Sequence, residues 1–309
     1  MNFEEHVLPM RIADVERDTG ISKDTLRVWE RRYQFPKPQR DSLGERLYSQ
    51  DQVERLRVIR RLLDQGMRPN QVLGMDLSEL HLLLDAHSSQ PTDTSRHATC
   101  LSLVRLLRTH CSRELRRSLN SILIKDGLQA FITQTIVPMS GIIGNDWIRG
   151  ELTVPEEHLY TEQVQNVIRH AIHSQETEDV PPRILLTTFP EEGHCLGILM
   201  VEAMCVSEGA YCTSLGTSVP LPDIAKYAMD GKYDVVALSF SAAYPSRDVI
   251  KDLKQFRHIL PEEISIWAGG AGLTQKRIHL PNLAVVTDID GVPGLVRDWR
   301  QQFLGGQHD

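Results

Sequence analysis

Glu192 and His194 stand two residues apart in Glu192-Gly193-His194-Cys195-Leu196-Gly197, between an apolar run ending at Phe189 and a helix-period run beginning at Cys195. A neutral imidazole is a nitrogen donor to metals, and a carboxylate that takes its other N–H fixes the tautomer and raises its basicity. A strand-to-helix turn would hold the histidine at the mouth of a parallel sheet, where open α/β domains bind ligands. Taken alone, a histidine in a turn also fits a plain surface loop. Cys195 beside it invites reading as a nucleophile, but that position equally begins the buried face of a helix.

Two later stretches change the balance. With 41 residues intervening after Gly197, an apolar strand ends in Ser239-Phe240-Ser241, and after a further 27 residues another ends in Gly269-Gly270. Together these resemble the cobalamin-binding signature, acid-x-His-x-x-Gly then Ser-x-Leu then Gly-Gly, of methionine synthases, corrinoid mutases and their regulatory relatives. Ser241 departs from it, standing where the family often has Leu or Thr. The resemblance implies a cobalt with four equatorial corrin nitrogens, on which a protein acts only along the axis. His194 would be the lower axial ligand and Glu192 its carboxylate partner. Gly197, Gly269 and Gly270 would let backbone approach the buried nucleotide tail, where any Cβ would occupy its space. Ser239 and Ser241 would offer that tail hydroxyls.

Trp147 is followed by nine residues and then Glu157-His158. In a generic helical bundle the tryptophan would be core filling and Glu-His a capping pair near the Pro155 helix start. The spacing resembles the motif of adenosylcobalamin-dependent photoreceptor repressors of the CarH/LitR type. That resemblance implies that Trp147 packs over the adenosyl group and, with Glu157 and His158, fills the cavity above the corrin. His158 would be a replacement cobalt ligand after photolysis.

The chemistry of the N-terminal part is different. From Lys23 to Arg61 there are 11 basic and 6 acidic residues, a local balance of +5, while the rest of the chain carries 23 and 35. A basic module on an acidic body is the footprint of a DNA-binding head on a sensor. Residues 10–19 place Ile12 and Val15 at helical spacing, Gly20-Ile21-Ser22 makes a turn, and Ser22 caps a helix from Lys23 to Tyr33 with Leu26 and Trp29 on successive turns. Two short helices joined by a glycine turn form a helix-turn-helix, whose second helix is available to a major groove.

Thr25-Leu26-Arg27-Val28-Trp29-Glu30, then Pro38, Arg40, Gly44, Arg46 and Tyr48, and a helix from Asp51 to Gln65, resemble the winged helix-turn-helix head of MerR-type transcription regulators. Arg27 then matches the recognition-helix arginine, and Arg40, Arg46 and Tyr48 match wing positions that touch the DNA backbone. Lys23, Thr25 and Arg31 join them from their places on the helix. Each arginine also fits a solvated surface charge.

These motifs need three supports, expected at 8–80 for the DNA-binding head, 96–176 for a helical bundle capping the cofactor, and 181–305 for the cobalamin-binding domain. Polar segments at 87–94 and 177–182 read as linkers. Between them, apolar faces such as Leu101, Val104 and Leu107, or Leu128, Ile132 and Ile136, predict helices. Beyond residue 182, strands near 183–189, 210–215, 233–239, 264–268 and 283–286 alternate with helices, the last at 291–303. Five β/α units of this kind predict a flavodoxin-like, doubly wound parallel sheet. The fold class is multidomain α and α/β.

At 309 residues with 41% hydrophobic and 24% charged side chains, the chain reads as an ordinary globular protein. No apolar run approaches the ~20 residues of a membrane span, and Glu4 and Glu5 stand where a signal peptide wants basic residues, so a cytoplasmic location is expected. Five cysteines, at 100, 111, 195, 205 and 212, lack zinc spacing and read as free thiols. A net charge of −7 argues against coating nucleic acid along the whole chain.

The expected function is a light-responsive transcriptional repressor with adenosylcobalamin, or another cobalamin form, as cofactor, and double-stranded operator DNA as partner. By resemblance, it would assemble in the dark as a homo-oligomer, dimer or tetramer, and come apart on photolysis. No turnover is required, so no enzyme is expected. A corrinoid-level sensor without light, haem bound through His194, or a separate regulatory protein docking on the C-terminal half remain as alternatives. A corrinoid methyl carrier or mutase fragment is disfavoured by the DNA-binding head.

Overall fold

Periodic apolar positions become helices in the N-terminal half of the chain, and β-branched runs become strands in the C-terminal half. The computed structural model describes residues 9–64, 67–88, 94–175, 180–245, 248–274 and 278–305. Two compact units emerge: residues 1–92 with 145–152, and residues 93–144 with 153–309.

The first unit runs β1 (Met10–Arg11), α1 (Ile12–Thr19), α2 (Lys23–Tyr33), β2 (Gln39–Arg40), β3 (Arg46–Tyr48), α3 (Gln50–Asp64), α4 (Pro69–Val72) and α5 (Leu77–Ser88). Gly20 takes φ 66 to end α1, and Ser22 Oγ accepts from the Thr25 backbone N–H at 3.3 Å to start α2. Leu26 and Trp29 then face a core with Val15, Tyr48 and Leu56. β3 lies between β1 and β2, antiparallel to both. The hairpin of β2 and β3 is the wing, and Gly44 at φ 80 turns it. Helix expected from residue 10 begins at Ile12, because Met10 and Arg11 pair with Tyr48 and Leu47. The expected end of the third helix at Gln65 lies outside the described residues.

The second unit opens with α6 (Thr94–Arg108), α7 (Ser112–Asp126), α8 (Leu128–Phe131), a π-helical turn over Ile132–Ile136, α9 (Val137–Ile148), whose residues from Asn145 group with the first unit, and α10 (Val154–His173). Tyr160 is buried among them, its hydroxyl 2.6 Å from Ser140 Oγ. The sheet part follows: β4 (Arg183–Thr187), α11 (Leu196–Ser207), β5 (Tyr211–Ser214), α12 (Leu221–Asp230), β6 (Val235–Ser239), α13 (Val249–Ile259), β7 (Ser265–Gly269), β8 (Leu283–Val286) and α14 (Val292–Gly305). All five strands are parallel, in the order β5-β4-β6-β7-β8. That is the flavodoxin order, with its crevice at the carboxyl ends beside the first strand.

Central strand β6 is buried along its whole length, as a strand covered on both faces should be. Register matters for the site, since Ser239 sits opposite Gly269 at the end of the β6–β7 pair. After β7 the chain makes a single 3-10 turn, Ala271–Leu273, in place of a full helix. Parts of both expected linkers, residues 89–93 and 177–179, lie outside the described residues, and α5 extends into the first as far as Ser88.

Candidate functional site

Glu192 is fixed by its surroundings before it fixes anything else. It follows β4 in the turn that leads to α11, with 1% of its side chain exposed. Its backbone carbonyl accepts from Thr188 Oγ1 at 2.7 Å and Ser218 Oγ at 3.1 Å. Its carboxylate accepts from the Ser241 backbone N–H at 2.6 Å and the His194 backbone N–H at 2.9 Å. Burial pushes the Glu192 carboxyl up, and donors from His194 and Ser241 outweigh it, holding the group below the usual carboxylate value.

The ionised carboxylate can only accept, so His194 Nδ1, 2.7 Å away, carries the proton and Nε2 presents the lone pair. That same hydrogen bond raises the His194 pKa against the effect of burial. The imidazole side chain is 65% exposed. A buried anion thus holds an outward-facing nitrogen donor, the arrangement found beneath metal-bound histidines.

Beside this pair, the carboxyl ends of β6, β7 and β8 and the first turn of α11 enclose a cavity of about 340 Å³. Gly197, Met200, Ser239, Trp267, Gly269 and Val286 are among its walls, and Val137 of α9 also lines it. Gly197 has a local reason, since a Cβ there would stand 2.4 Å from Ser239 Oγ. Gly269 and Gly270 have another. A Cβ at Gly269 would meet the Val286 carbonyl oxygen at 2.9 Å, and one at Gly270, whose φ is 102, would meet the Phe240 carbonyl oxygen at 2.4 Å. Both glycines are needed by the packing of neighbouring strand ends as well as by any guest.

Ser239 lines the cavity, whereas the Ser241 hydroxyl lies 3.1 Å from His194 Nδ1 and accepts from the Ala243 backbone N–H at 3.2 Å. The expected pair of tail-facing hydroxyls therefore divides between cavity and histidine. A mostly apolar slot with the hydroxyl residues Ser239, Thr274 and Thr287 and glycines in its walls fits a nucleotide-like tail, with the imidazole as a separate donor at the turn.

Glu157 and His158 sit in the first turn of α10. Glu157 Oε2 is 2.9 Å from His158 Nδ1, and its Oε1 accepts from Thr161 Oγ1 at 2.9 Å. Burial raises the Cys195 pKa, and the charge of Glu157 adds a smaller push there and at His194, so this turn lies within electrostatic reach of the Glu192–His194 loop. Capping falls to the preceding residue instead. Glu156 accepts from the Thr153 backbone and hydroxyl, each at 2.7 Å, and its pKa is lowered by those bonds.

Trp147 is grouped differently. It belongs to the first unit, where the Arg57 guanidinium lies over its ring, 4.7 Å from the centroid. Arg57 is itself clamped by Asp18, with bonds of 2.8 and 2.9 Å. Sequence reasoning passed over Arg57, Asp18, Thr188, Ser218, Val137 and Glu156. Only Glu156 had a local signal, as the third residue after Thr153 in a capping box.

On the head, α2 turns Asp24, Arg27, Val28, Arg31 and Arg32 to solvent. Lys23 Nζ pairs with Glu16 at 3.1 Å, Arg27 with Asp24 at 3.2 Å, and Thr25 Oγ1 lies 2.8 Å from Ser22 Oγ. Arg40 is exposed on the wing and donates to the Gly44 carbonyl at 2.8 Å. Two expected DNA contacts face inward in this structure. Tyr48 is fully buried and donates to Glu30 Oε1 at 3.1 Å, and Arg46 Nε donates to the same carboxylate at 2.9 Å. Tyr48 is a core residue, and Arg46 joins the wing to α2.

Among the described residues no group of three His, Cys, Asp or Glu side chains forms a metal site, and no helix is long and apolar enough to cross a membrane. Residues 10–75 match the family model "MerR HTH family regulatory protein". Residues 100–172, which run from α6 to α10, match "B12 binding domain". The chain is 29% identical over 272 residues to the HTH-type transcriptional repressor CarH of Myxococcus xanthus, covering 86% of this chain and 90% of that protein. It is 28% identical over 238 residues to the repressor CarA of the same organism, covering 76% and 78%. A monomethylamine corrinoid protein from Methanosarcina barkeri shares the fold at a TM-score of 0.50 and 16% identity, over 63% of this chain and 94% of that one.

Proposed function

We propose that this chain, a MerR-type transcription regulator carrying a B12 binding domain, is a cobalamin-dependent repressor that answers to light. The observation that carries the cofactor reading is the buried Glu192 anion aiming an exposed His194 Nε2 outward, beside a glycine-walled slot. The relatives named as repressors, similar over most of the chain, support the DNA-binding output.

In this reading His194 would be the residue that ligates cobalt, Glu192 would keep it in the Nδ1–H tautomer, and Gly197, Ser239, Gly269 and Gly270 would receive the nucleotide tail. Bound adenosylcobalamin supplies a cobalt–carbon bond that light breaks. Glu157 and His158 of the second unit would face the bound group, with His158 as a second nitrogen donor, and Trp147 joins them in this reading through the sequence motif alone. Trp147 also lies under Arg57, which is clamped to α1 of the head by Asp18. A change in what surrounds Trp147 would therefore be felt by a helix-turn-helix element. Oligomeric dark protein would hold several operator half-sites at once, and separation of its subunits would lose that gain.

Titration with adenosylcobalamin in the dark tests the cofactor step. Wild-type chain should take up the corrinoid with a shifted absorption spectrum, and His194→Ala should lose that shift. An unchanged spectrum in His194→Ala would remove His194 as the ligand. Corrinoid sensing without light is the second reading, favoured because the Glu192–His194 pair and the glycine-walled slot would hold a corrinoid of any form. It is separated by the light response.

A further inference from the structure

The outward face of α2 is charged at every position except one. Asp24, Arg27, Arg31 and Arg32 are exposed on it, and Val28, in their midst, is 43% exposed. A single exposed valine needs no explanation by itself. Its neighbours give it one. Arg27 and Arg31 flank it on one helix, and Arg40 stands exposed on the wing, so the complementary surface is a polyanion.

Phosphates satisfy the arginines and leave an aliphatic group with nothing to contact. The apolar group a duplex displays in its major groove is the C5 methyl of thymine. A β-branched side chain on a helix has one strongly preferred rotamer, so the two Val28 methyls are presented at little entropic cost. Asp24, one turn earlier, holds Arg27 through a 3.2 Å contact and limits how far the guanidinium can sweep over Val28.

We infer that Val28 is a specificity-determining residue that packs on a thymine methyl in the operator. This rests on the DNA-binding reading above and adds to it the base that one side chain selects. Neither Arg27 nor Arg31 can substitute, since their contacts survive loss of a methyl group.

The test uses the full chain and a duplex selected by it from a random double-stranded pool. Each thymine of a half-site is replaced in turn by 2′-deoxyuridine, which keeps the hydrogen-bonding edge and removes the methyl. Wild type should lose roughly three- to fivefold in affinity at one thymine per half-site, the effect of one buried methyl-sized group. Val28→Ala should bind the parent duplex more weakly and be indifferent to deoxyuridine at that position. Arg31→Ala should keep the deoxyuridine penalty while weakening binding on all duplexes and flattening its salt dependence. Equal affinity of wild type for every deoxyuridine duplex, or a penalty that persists in Val28→Ala, would overturn the assignment. Failure to select any duplex at low salt would overturn the DNA-binding reading itself, and this inference with it.

Discussion

At the residue scale the Glu192–His194 pair was legible because its two partners are neighbours in the chain, and the imidazole–carboxylate logic needs no tertiary knowledge. What fixes Glu192 was not, since the Thr188 hydroxyl donates to its backbone carbonyl and the Ser241 backbone N–H, from a distant strand end, to its carboxylate. Glu192→Gln keeps the shape and removes the charge. Corrinoid affinity should fall roughly 10- to 100-fold, as when a metal ligand loses its hydrogen-bonded carboxylate, measured by spectral titration in the dark. Tyr48 shows the opposite case. Its place in the wing suggested a DNA contact, but it is buried against Glu30. Tyr48→Phe should cost about 1 kcal/mol of head stability, read by denaturant unfolding of the head, and leave the salt slope of operator binding unchanged. A shallower slope would return Tyr48 to the interface.

At the element scale the central strands were readable as short buried apolar runs and the half-buried edge strands by their place in the β/α alternation, and the α2 helix because Ser22, Leu26 and Trp29 mark its start and its buried face. The strand at Met10–Arg11 was not, as its only reason is a partner in the wing. The π-helical turn over Ile132–Ile136 keeps the apolar spacing of an α-helix and so leaves no trace in periodicity. The start of α10 depends on Glu156 accepting two bonds from Thr153. Because the folded pKa of Glu156 is lowered, its contribution is complete above the unfolded carboxylate value and is lost as pH falls through the folded one. Glu156→Gln should lower amide protection in the first turn of α10 at neutral pH by roughly fivefold, about 1 kcal/mol, and abolish that pH dependence. At the other end of the site, Gly270→Ala should destabilise the sheet domain by roughly 1–3 kcal/mol, since φ 102 and the Phe240 carbonyl both oppose a Cβ. Thermal unfolding in the absence of corrinoid reads it.

At the scale of the whole molecule, the informative placement is that of Trp147, which sequence spacing tied to Glu157-His158 and which the structure groups with Arg57 and Asp18. No spacing rule could have found this, because the three residues lie far apart in the chain and on three helices. If Trp147 relays cofactor state to the head, Arg57→Met should shrink the ratio of operator affinities with and without adenosylcobalamin toward one. Ordinary allosteric ratios are roughly 5- to 150-fold. Corrinoid uptake by this variant should stay at the wild-type level. A corrinoid site joined to a DNA-binding head is the central claim. Its most direct test is one operator titration of adenosylcobalamin-loaded full chain, first in the dark and then on the same sample after green light. Tight dark binding that weakens at least about tenfold after illumination, or ~1.4 kcal/mol, is the predicted result. Equal affinities in a chain that has taken up the corrinoid would contradict control by light, and a chain that takes up none would contradict the cofactor reading.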